Sequence, residues 1–264
     1  MSFQPAIPLT GYSGWQFLRR TQAAQESAFR RTPEIQNDLE YFRNTIGSIR
    51  SADQLVNDRR LLSVALGAFG LDGDINNRFF IQKILEDGTL DPSSLANRLS
   101  DKRYLEFSRA FGFGDIGAPR TQNRTFSSEI AQSYQTRQFE RAVGNQDNDL
   151  RLAMEAERTL PDIAQRDISN NAMWFTVMGN KPLRTVFETA FGLPESFGAL
   201  DLDRQLDEFQ ARSQQVLGTS ELSDIGSPGT LDELIRTFLV RREASTFSPQ
   251  ISAAQTALTL LQSY

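Results

Sequence analysis

Helix-start signals followed by apolar residues at helical spacing constrain the fold of this chain more than any other feature. The clearest is Thr32-Pro33, an N-cap residue followed by proline at the first helical position. After it, apolar residues step by four, three, four and three along one helix face: Ile35, Leu39, Phe42, Ile46 and Ile49. Four further helix starts are predicted. Two are capping boxes, Ser51 to Gln54 and Thr230 to Glu233, and two are an N-cap residue followed by proline, Asp91-Pro92 and Ser248-Pro249. Because alternating β-branched and polar runs are absent, the sequence predicts an all-α fold with little or no sheet.

Apolar periodicity also predicts where the remaining helices lie. A weak helix around Trp15, Leu18 and Phe29 ends before Thr32. The other predicted helices cover 58–69, 76–87, 101–111, 126–143, 147–165, 168–178, 180–191, 203–216, 231–244 and 249–262. The last of these carries a short, narrow stripe, which we expect to pack on the body and which could instead join a partner.

An internal repeat ends several of these helices with Ala-Phe-Gly. Residues 58–71 and 180–193 share six identities in fourteen, and residues 101–113 match the same Ala-Phe-Gly end after one deletion. We interpret the glycine as the residue that leaves the helix with a left-handed φ, and the following Leu or Phe as a hydrophobic clasp. The repeat predicts a multi-helix array of duplicated helical hairpins, stacked into an elongated body.

Composition shifts divide the chain into four parts. Residues 1–12 hold two prolines and a glycine and predict a flexible N-terminal arm. Residues 13–113 form a helical repeat half, and the polar segment 114–125 with its Pro and Gly predicts a linker. Residues 126–264 form a second helical half. Whether the two halves fold as one domain is left open by the sequence.

The absence of Cys and His excludes whole classes of chemistry. Thiolate nucleophiles, disulfides, imidazole bases and the usual zinc, copper and haem ligands are removed, so carboxylate, Lys, Tyr or Ser-Lys chemistry remains. The net charge is −5, with three Lys and 25 Arg, which disfavours nucleic acid as a partner. No apolar run reaches bilayer length and no Sec signal peptide is visible, so we expect neither membrane insertion nor Sec export. A specialised export route would leave no such mark.

Several constellations imitate functional sites without completing them. Asp72, Asp74 and Asn76, and likewise Asn145, Asp147 and Asp149, match the start of a calcium loop but lack its invariant Gly and closing Glu. No glycine-rich phosphate motif appears. The acidic pairs Glu155/Glu157 and Asp201/Asp203 are expected by chance among 33 acids, and Lys83, Lys102 and Lys181 are interpreted as structural. The sequence therefore predicts no catalytic, metal or cofactor residues.

Three segments together resemble a known bacterial family. They are GYSGWQFLRRTQ at 11–22, the run at 38–71 that ends in LLSVALGAFGL, and the run at 79–113 that contains LANRL and ends in RAFGF. With these segments the chain is similar to the family called Domain of Unknown Function 1217. The resemblance implies a Cys-poor helical protein encoded near flagellar genes, and it carries over no catalytic residues.

Three functional hypotheses follow. The first is a non-catalytic, flagellum-associated structural or assembly protein that acts through protein contacts, in the cytoplasm or exported by the flagellar route, with flagellar components as partners. The second is a cytoplasmic helical adaptor or regulator. The third, ranked below them, is a carboxylate-based enzyme, which would need a deep pocket holding carboxylates of perturbed pKa.

Overall fold

The computed structural model describes residues 3–247, apart from the side chains of residues 195, 246 and 247. The described residues contain helices and 3-10 turns and no strand. The α-helices are α1 Gly11–Arg30, α2 Pro33–Thr45, α3 Ala52–Asn57, α4 Arg59–Ala68, α5 Arg78–Asp87, α6 Leu95–Arg98, α7 Arg103–Phe111, α8 Phe126–Gly144, α9 Asn148–Ala164, α10 Asn170–Met178, α11 Lys181–Phe191, α12 Leu202–Leu217, α13 Leu222–Ile225 and α14 Pro228–Phe247. The predicted all-α class is confirmed for this part of the chain.

Of the four predicted helix starts that lie in the described residues, two are found and two are not. Helix α2 begins at Pro33, as Thr32-Pro33 predicts. Ser51 accepts a hydrogen bond from the Gln54 amide at 3.3 Å, as a capping box requires. The Asp91 carboxylate instead caps a turn by accepting from the Ser93 amide at 2.8 Å, and α6 begins only at Leu95. Helix α14 begins at Pro228, after Ser227, so Thr230 lies inside the helix. The prediction that Thr230 caps a helix start is wrong. The predicted helix 249–262 and its start at Ser248 lie outside the described residues.

The centre of the fold is a hairpin of α8 and α9, joined by the turn 145–147. Helices α2 and α4 pack on α8, whereas α11 and α14 pack on α9. One apolar cluster runs through all these helices, from Trp15 to Leu239. The polar segment 114–125 connects the two predicted halves, but it does not separate two cores, because the first half packs directly on α8.

All three Ala-Phe-Gly segments end a helix in the predicted way. Gly70, Gly112 and Gly192 have φ of 68°, 65° and 66°, the left-handed region in which glycine has no steric cost. After α4 the amide of Leu71 donates to the carbonyl of Leu66 at 2.9 Å, and Leu71 is buried. The same six-to-one bond follows α11. The repeat is thus a recurring helix end. Helices α4 and α11 pack on different members of the central hairpin, so the structure does not show stacked duplicated hairpins.

The N-terminal segment is extended, as expected, but it is anchored to the body. The Phe3 ring lies 5.3 Å from that of Phe29 and 6.3 Å from that of Phe139. The Gln25 side chain accepts from the Ala6 amide at 2.7 Å and donates to the Ala6 carbonyl at 3.1 Å. The predicted flexible arm 1–12 thus makes contacts with the body at residues 3 and 6, and residues 11 and 12 belong to α1.

We expect Phe3→Ala to lower the free energy of unfolding by about 1–3 kcal/mol, because the aromatic contacts of Phe3 with Phe29 and Phe139 are lost. Urea denaturation would measure the change. The control is Leu9→Ala, in the same segment but 49% exposed, which should cost less than about 1 kcal/mol. Equal effects of the two substitutions would show that the arm contributes no specific packing.

Candidate functional site

The site most distinct in chemistry is a cavity of about 430 Å³ lined by basic side chains, which we call the arginine cavity. It opens where α4 ends and where α7, α9 and α11 begin, with α8 along one side. Its charged residues are five cations and three carboxylates: Arg103, Arg137, Arg141, Arg151, Lys181, Asp72, Glu140 and Glu155. The lining therefore carries a net charge of +2 in a chain whose net charge is −5.

Two buried carboxylates hold the walls of the cavity together. Glu155 is 2% exposed, accepts a hydrogen bond from Arg137 at 2.9 Å and lies 3.6 Å from Arg158. Glu140 is 4% exposed and is bonded to Arg158 at 2.7 Å. Burial opposes ionisation of Glu155, but the charges of Arg137 and Arg158 and the Arg137 hydrogen bond outweigh it, so its pKa is lowered. Glu155 is thus an ionised structural partner and is poorly suited to donate a proton.

The helix end formed by the repeat positions one of the arginines. Arg103 donates through Nη1 to the Gly70 carbonyl at 2.6 Å, at the end of α4. Its other nitrogens bind Asp101, with the shortest contact at 2.6 Å. Burial would raise the pKa of Asp101, but the hydrogen bonds and charge of Arg103 lower it, and Lys181 adds to this effect. Gly70 therefore ends α4 and also offers the carbonyl oxygen that holds Arg103 at the cavity.

A second surface exposes apolar side chains. Leu90 is 64% exposed and Ile116 is 95% exposed, and we call them the apolar loop pair. Their loops are joined because the Asp115 carboxylate accepts from the Thr89 amide at 2.7 Å. The backbones also touch: a Cβ on Gly88 would lie 2.6 Å from the Gly114 carbonyl oxygen. Phe79, 90% exposed, lies near the opposite end of α5, about 12 Å along the helix axis from Asp87.

The structure separates the residues of each calcium-like run. Asp72 accepts from Arg141 and Gln138, whereas Asp74 accepts from Tyr104 at 2.7 Å. Asn76 accepts from Arg59 at 3.2 Å. In the second run Asp147 caps α9 and Asp149 binds Arg242 at 2.9 Å, on the side of the helix facing α14. Across residues 3–247, no group of three acidic side chains is arranged to hold a metal ion.

The two acidic pairs are also separated. Glu155 lies in the arginine cavity, whereas Glu157 faces α1 and binds Arg19 at 3.1 Å. Asp201 caps α12 by accepting from the Arg204 amide at 2.9 Å, and Asp203 is exposed. Of the lysines, Lys83 pairs with Asp87 and Lys102 donates to the carbonyls of Asn97 and Leu99. Lys181, predicted to be structural, lines the cavity.

The sequence reasoning missed the arginine cavity, although one signal was available. Within α9, Glu155 occupies a position among the buried residues Leu152, Ala156 and Leu160, where an apolar side chain is expected. Glu140 likewise lies between the buried Phe139 and Val143 in α8. A carboxylate on an apolar helix face requires a buried cation, which points to the arginines of neighbouring turns.

The fold and site define an all-α protein with a basic cavity and an exposed apolar loop pair, and in residues 3–247 no helix combines the length and apolarity needed to cross a bilayer. The sequence profile of the family described as "Protein of unknown function (DUF1217)" matches residues 68–230, and the chain belongs to this family. The crystal structure of protein AGR_C_984 from Agrobacterium tumefaciens is similar: 26% identity, a TM-score of 0.72, and coverage of 92% of this chain and 99% of that one. No curated protein matches the chain.

Proposed function

We propose that the protein is a non-catalytic, flagellum-associated structural or assembly protein that binds a partner protein through the apolar loop pair. The observation that carries the proposal is the exposure of two large aliphatic side chains, Leu90 at 64% and Ile116 at 95%, on two loops that are hydrogen-bonded to each other. Exposed apolar patches on an ordered surface are typical of protein interaction sites. The flagellar part of the proposal comes from the gene-cluster association that the family resemblance implies.

The surroundings of the loop pair favour one partner chemistry. Glu86 and Asp91 are exposed, and Asp115 is half-buried beside Ile116. Asp87, at the end of α5, is in an ion pair with Lys83 at 2.7 Å. Apolar side chains with an acidic rim fit a partner surface that is apolar at its centre and basic around it. We therefore expect a flagellar component with such a surface.

The enzyme hypothesis receives less support from the described residues. The three carboxylates of the arginine cavity are each paired with an arginine, and the pKa of Glu155 is lowered because the charges of Arg137 and Arg158 outweigh the effect of burial. A general acid needs the opposite shift. The alternative hypothesis, a cytoplasmic adaptor, would bind its partner through the same loop pair. The two hypotheses therefore differ in where the protein is located, and they share the binding surface.

The location is tested by immunoblotting cytosol, membranes, culture supernatant and purified hook–basal bodies. The fractions are taken from wild-type cells and from a strain that lacks the flagellar export apparatus. Signal outside the cytosol that depends on export supports an exported flagellar component. Signal confined to the cytosol in both strains overturns the exported form and places the adaptor first.

The surface is tested by the double variant Leu90→Ser, Ile116→Ser. We expect at least a tenfold loss of protein from the hook–basal-body fraction, since about 1.4 kcal/mol of lost contact gives that factor. Folding should be preserved, because substitutions at such exposed sites usually change stability by only about 0.5 kcal/mol.

The matched control is Leu200→Ser, Leu202→Ser, which removes two side chains that are 41% and 60% exposed elsewhere on the surface. The control should retain wild-type association. If the control loses association and the loop-pair variant keeps it, the binding surface is assigned wrongly.

A further inference from the structure

We infer that the arginine cavity is a binding site for an oxyanion of the phosphate class. The first argument is the charge left after internal pairing. Arg137 pairs with Glu155 at 2.9 Å, and Arg141 pairs with Asp72 at 2.9 Å. Arg158, just outside the lining, pairs with Glu140 at 2.7 Å. Each carboxylate of the lining therefore already has an arginine of its own.

Two cations of the lining remain in excess. Arg151 donates to the Asn148 side-chain oxygen at 2.9 Å and reaches Glu155 only at 3.9 Å, the limit of an ion pair. Lys181 is exposed at the mouth, and within residues 3–247 its ammonium group has no hydrogen-bond or ion-pair partner. Because Arg103 is bound to Asp101, outside the lining, the net charge of +2 corresponds to Arg151 and Lys181. An anion with two negative charges would balance it.

Helix geometry adds to this positive field. Arg103, Asn148 and Lys181 are the first residues of α7, α9 and α11, so three helices begin at the cavity. Helix N-termini carry partial positive charge and attract phosphate-type anions. A cation there is of the wrong sign for helix stability, yet Lys181 occupies the first position of α11. Lys181 therefore does not stabilise its own helix; its positive charge acts on the carboxylate of Asp101, whose pKa it helps to lower, and on any anion that enters the cavity.

The size of the cavity sets the ligand class. A volume of about 430 Å³ lies within the range of small-molecule sites. It is larger than a free phosphate needs, and it can hold the phosphate group of a small organic molecule. Arginine forks and an ammonium group both suit a phosphate dianion. Free phosphate and a phosphorylated small molecule would both bind through the phosphate group. The experiment below distinguishes these two ligands.

Isothermal titration of the full chain would use inorganic phosphate, adenosine 5′-monophosphate and adenosine, at constant ionic strength set with sodium chloride. We expect at least one phosphate-bearing probe to bind with a Kd below about 1 mM, and adenosine not to bind. Tighter binding of inorganic phosphate assigns the site to the free anion. Tighter binding of the monophosphate assigns it to a phosphorylated small molecule.

The variants Lys181→Ala and Arg151→Ala should each weaken binding by at least about tenfold, the loss expected for one charge-assisted contact. The control Arg204→Ala removes an exposed cation on α12 with the same change in net charge, and it should bind as wild type does. The loop-pair variant should also bind normally, because its surface is separate. Absence of binding at about 10 mM phosphate or monophosphate, or equal binding by the cavity variants and the Arg204 control, would overturn the assignment.

Discussion

We expect Glu155→Gln to lower the free energy of unfolding by about 3–5 kcal/mol at neutral pH, the cost of removing one partner from a buried ion pair. Glu155 is 2% exposed, and its loss leaves Arg137, whose side chain is 13% exposed, without its carboxylate at 2.9 Å. The glutamine side chain has nearly the same volume, so the effect reports charge and not packing. Guanidinium denaturation at pH 7, followed by circular dichroism, measures it.

The matched control is Glu157→Gln, two residues along the same helix. The pKa of Glu157 is raised by burial, although Arg19 lowers it and Asp232 adds to the rise. Its ion pair with Arg19 is half-exposed, so the substitution should cost less than about 1 kcal/mol. If the two variants lost similar amounts of unfolding free energy, the buried ion pair between Glu155 and Arg137 would not have the stabilising role proposed for it.

The same pair of proteins should differ in their response to acid. The folded state lowers the pKa of Glu155 below its ordinary value of 4.5, so the folded chain binds fewer protons than the unfolded chain. The stability that Glu155 contributes is therefore full above pH 4.5 and is lost as the pH falls through the folded-state pKa. Glu155→Gln should lose this part of the pH dependence, and Glu157→Gln should retain it.

Phe209→Ala should lower the free energy of unfolding by about 3–5 kcal/mol through the cavity that it creates. The Phe209 ring is fully buried and lies 4.9 Å from Phe197 and 5.9 Å from Trp174. Phe187 and Phe191 each lie 6.5 Å away, so the ring on α12 contacts four others, which lie on α10, α11 and the 3-10 turn Glu195–Ala199. Differential scanning calorimetry should show a Tm lower by roughly 10 °C.

The control for this second effect is Phe79→Ala, which removes the same side chain from a position that is 90% exposed. Its cost should stay within about 0.5 kcal/mol. A loss below about 1 kcal/mol for Phe209→Ala would mean that the neighbouring rings collapse into the space, and that this aromatic cluster is less closely packed than the structure indicates.

Local signals in the sequence were sufficient for most of the secondary structure. The helices predicted at 126–143 and 147–165 are found at Phe126–Gly144 and Asn148–Ala164. The reason is that caps, turn glycines and amphipathic spacing act over a few residues. Asp91-Pro92 predicted a helix start that is not found, because an aspartate that accepts a hydrogen bond from a nearby amide also stabilises a simple turn.

The candidate sites depended on residues far apart in the chain. The loops that carry Leu90 and Ile116 are brought together by the hydrogen bond from the Thr89 amide to the Asp115 carboxylate, across 26 residues of sequence. From the sequence alone, Glu155 and Glu157 are a pair expected by chance. In α9 two residues of separation place them on opposite sides of the helix, where they bind Arg137 and Arg19.

The sequence by itself determined the helical class, the left-handed glycines that end α4, α7 and α11, and the exclusion of thiol and imidazole chemistry. Each of these follows from residue type and short spacing. The tertiary structure alone decided that Lys181 and Arg151 face one cavity while Arg137 neutralises Glu155. Charge pairing depends on distances of about 3–4 Å between side chains from different helices, and the packing of the apolar core sets those distances.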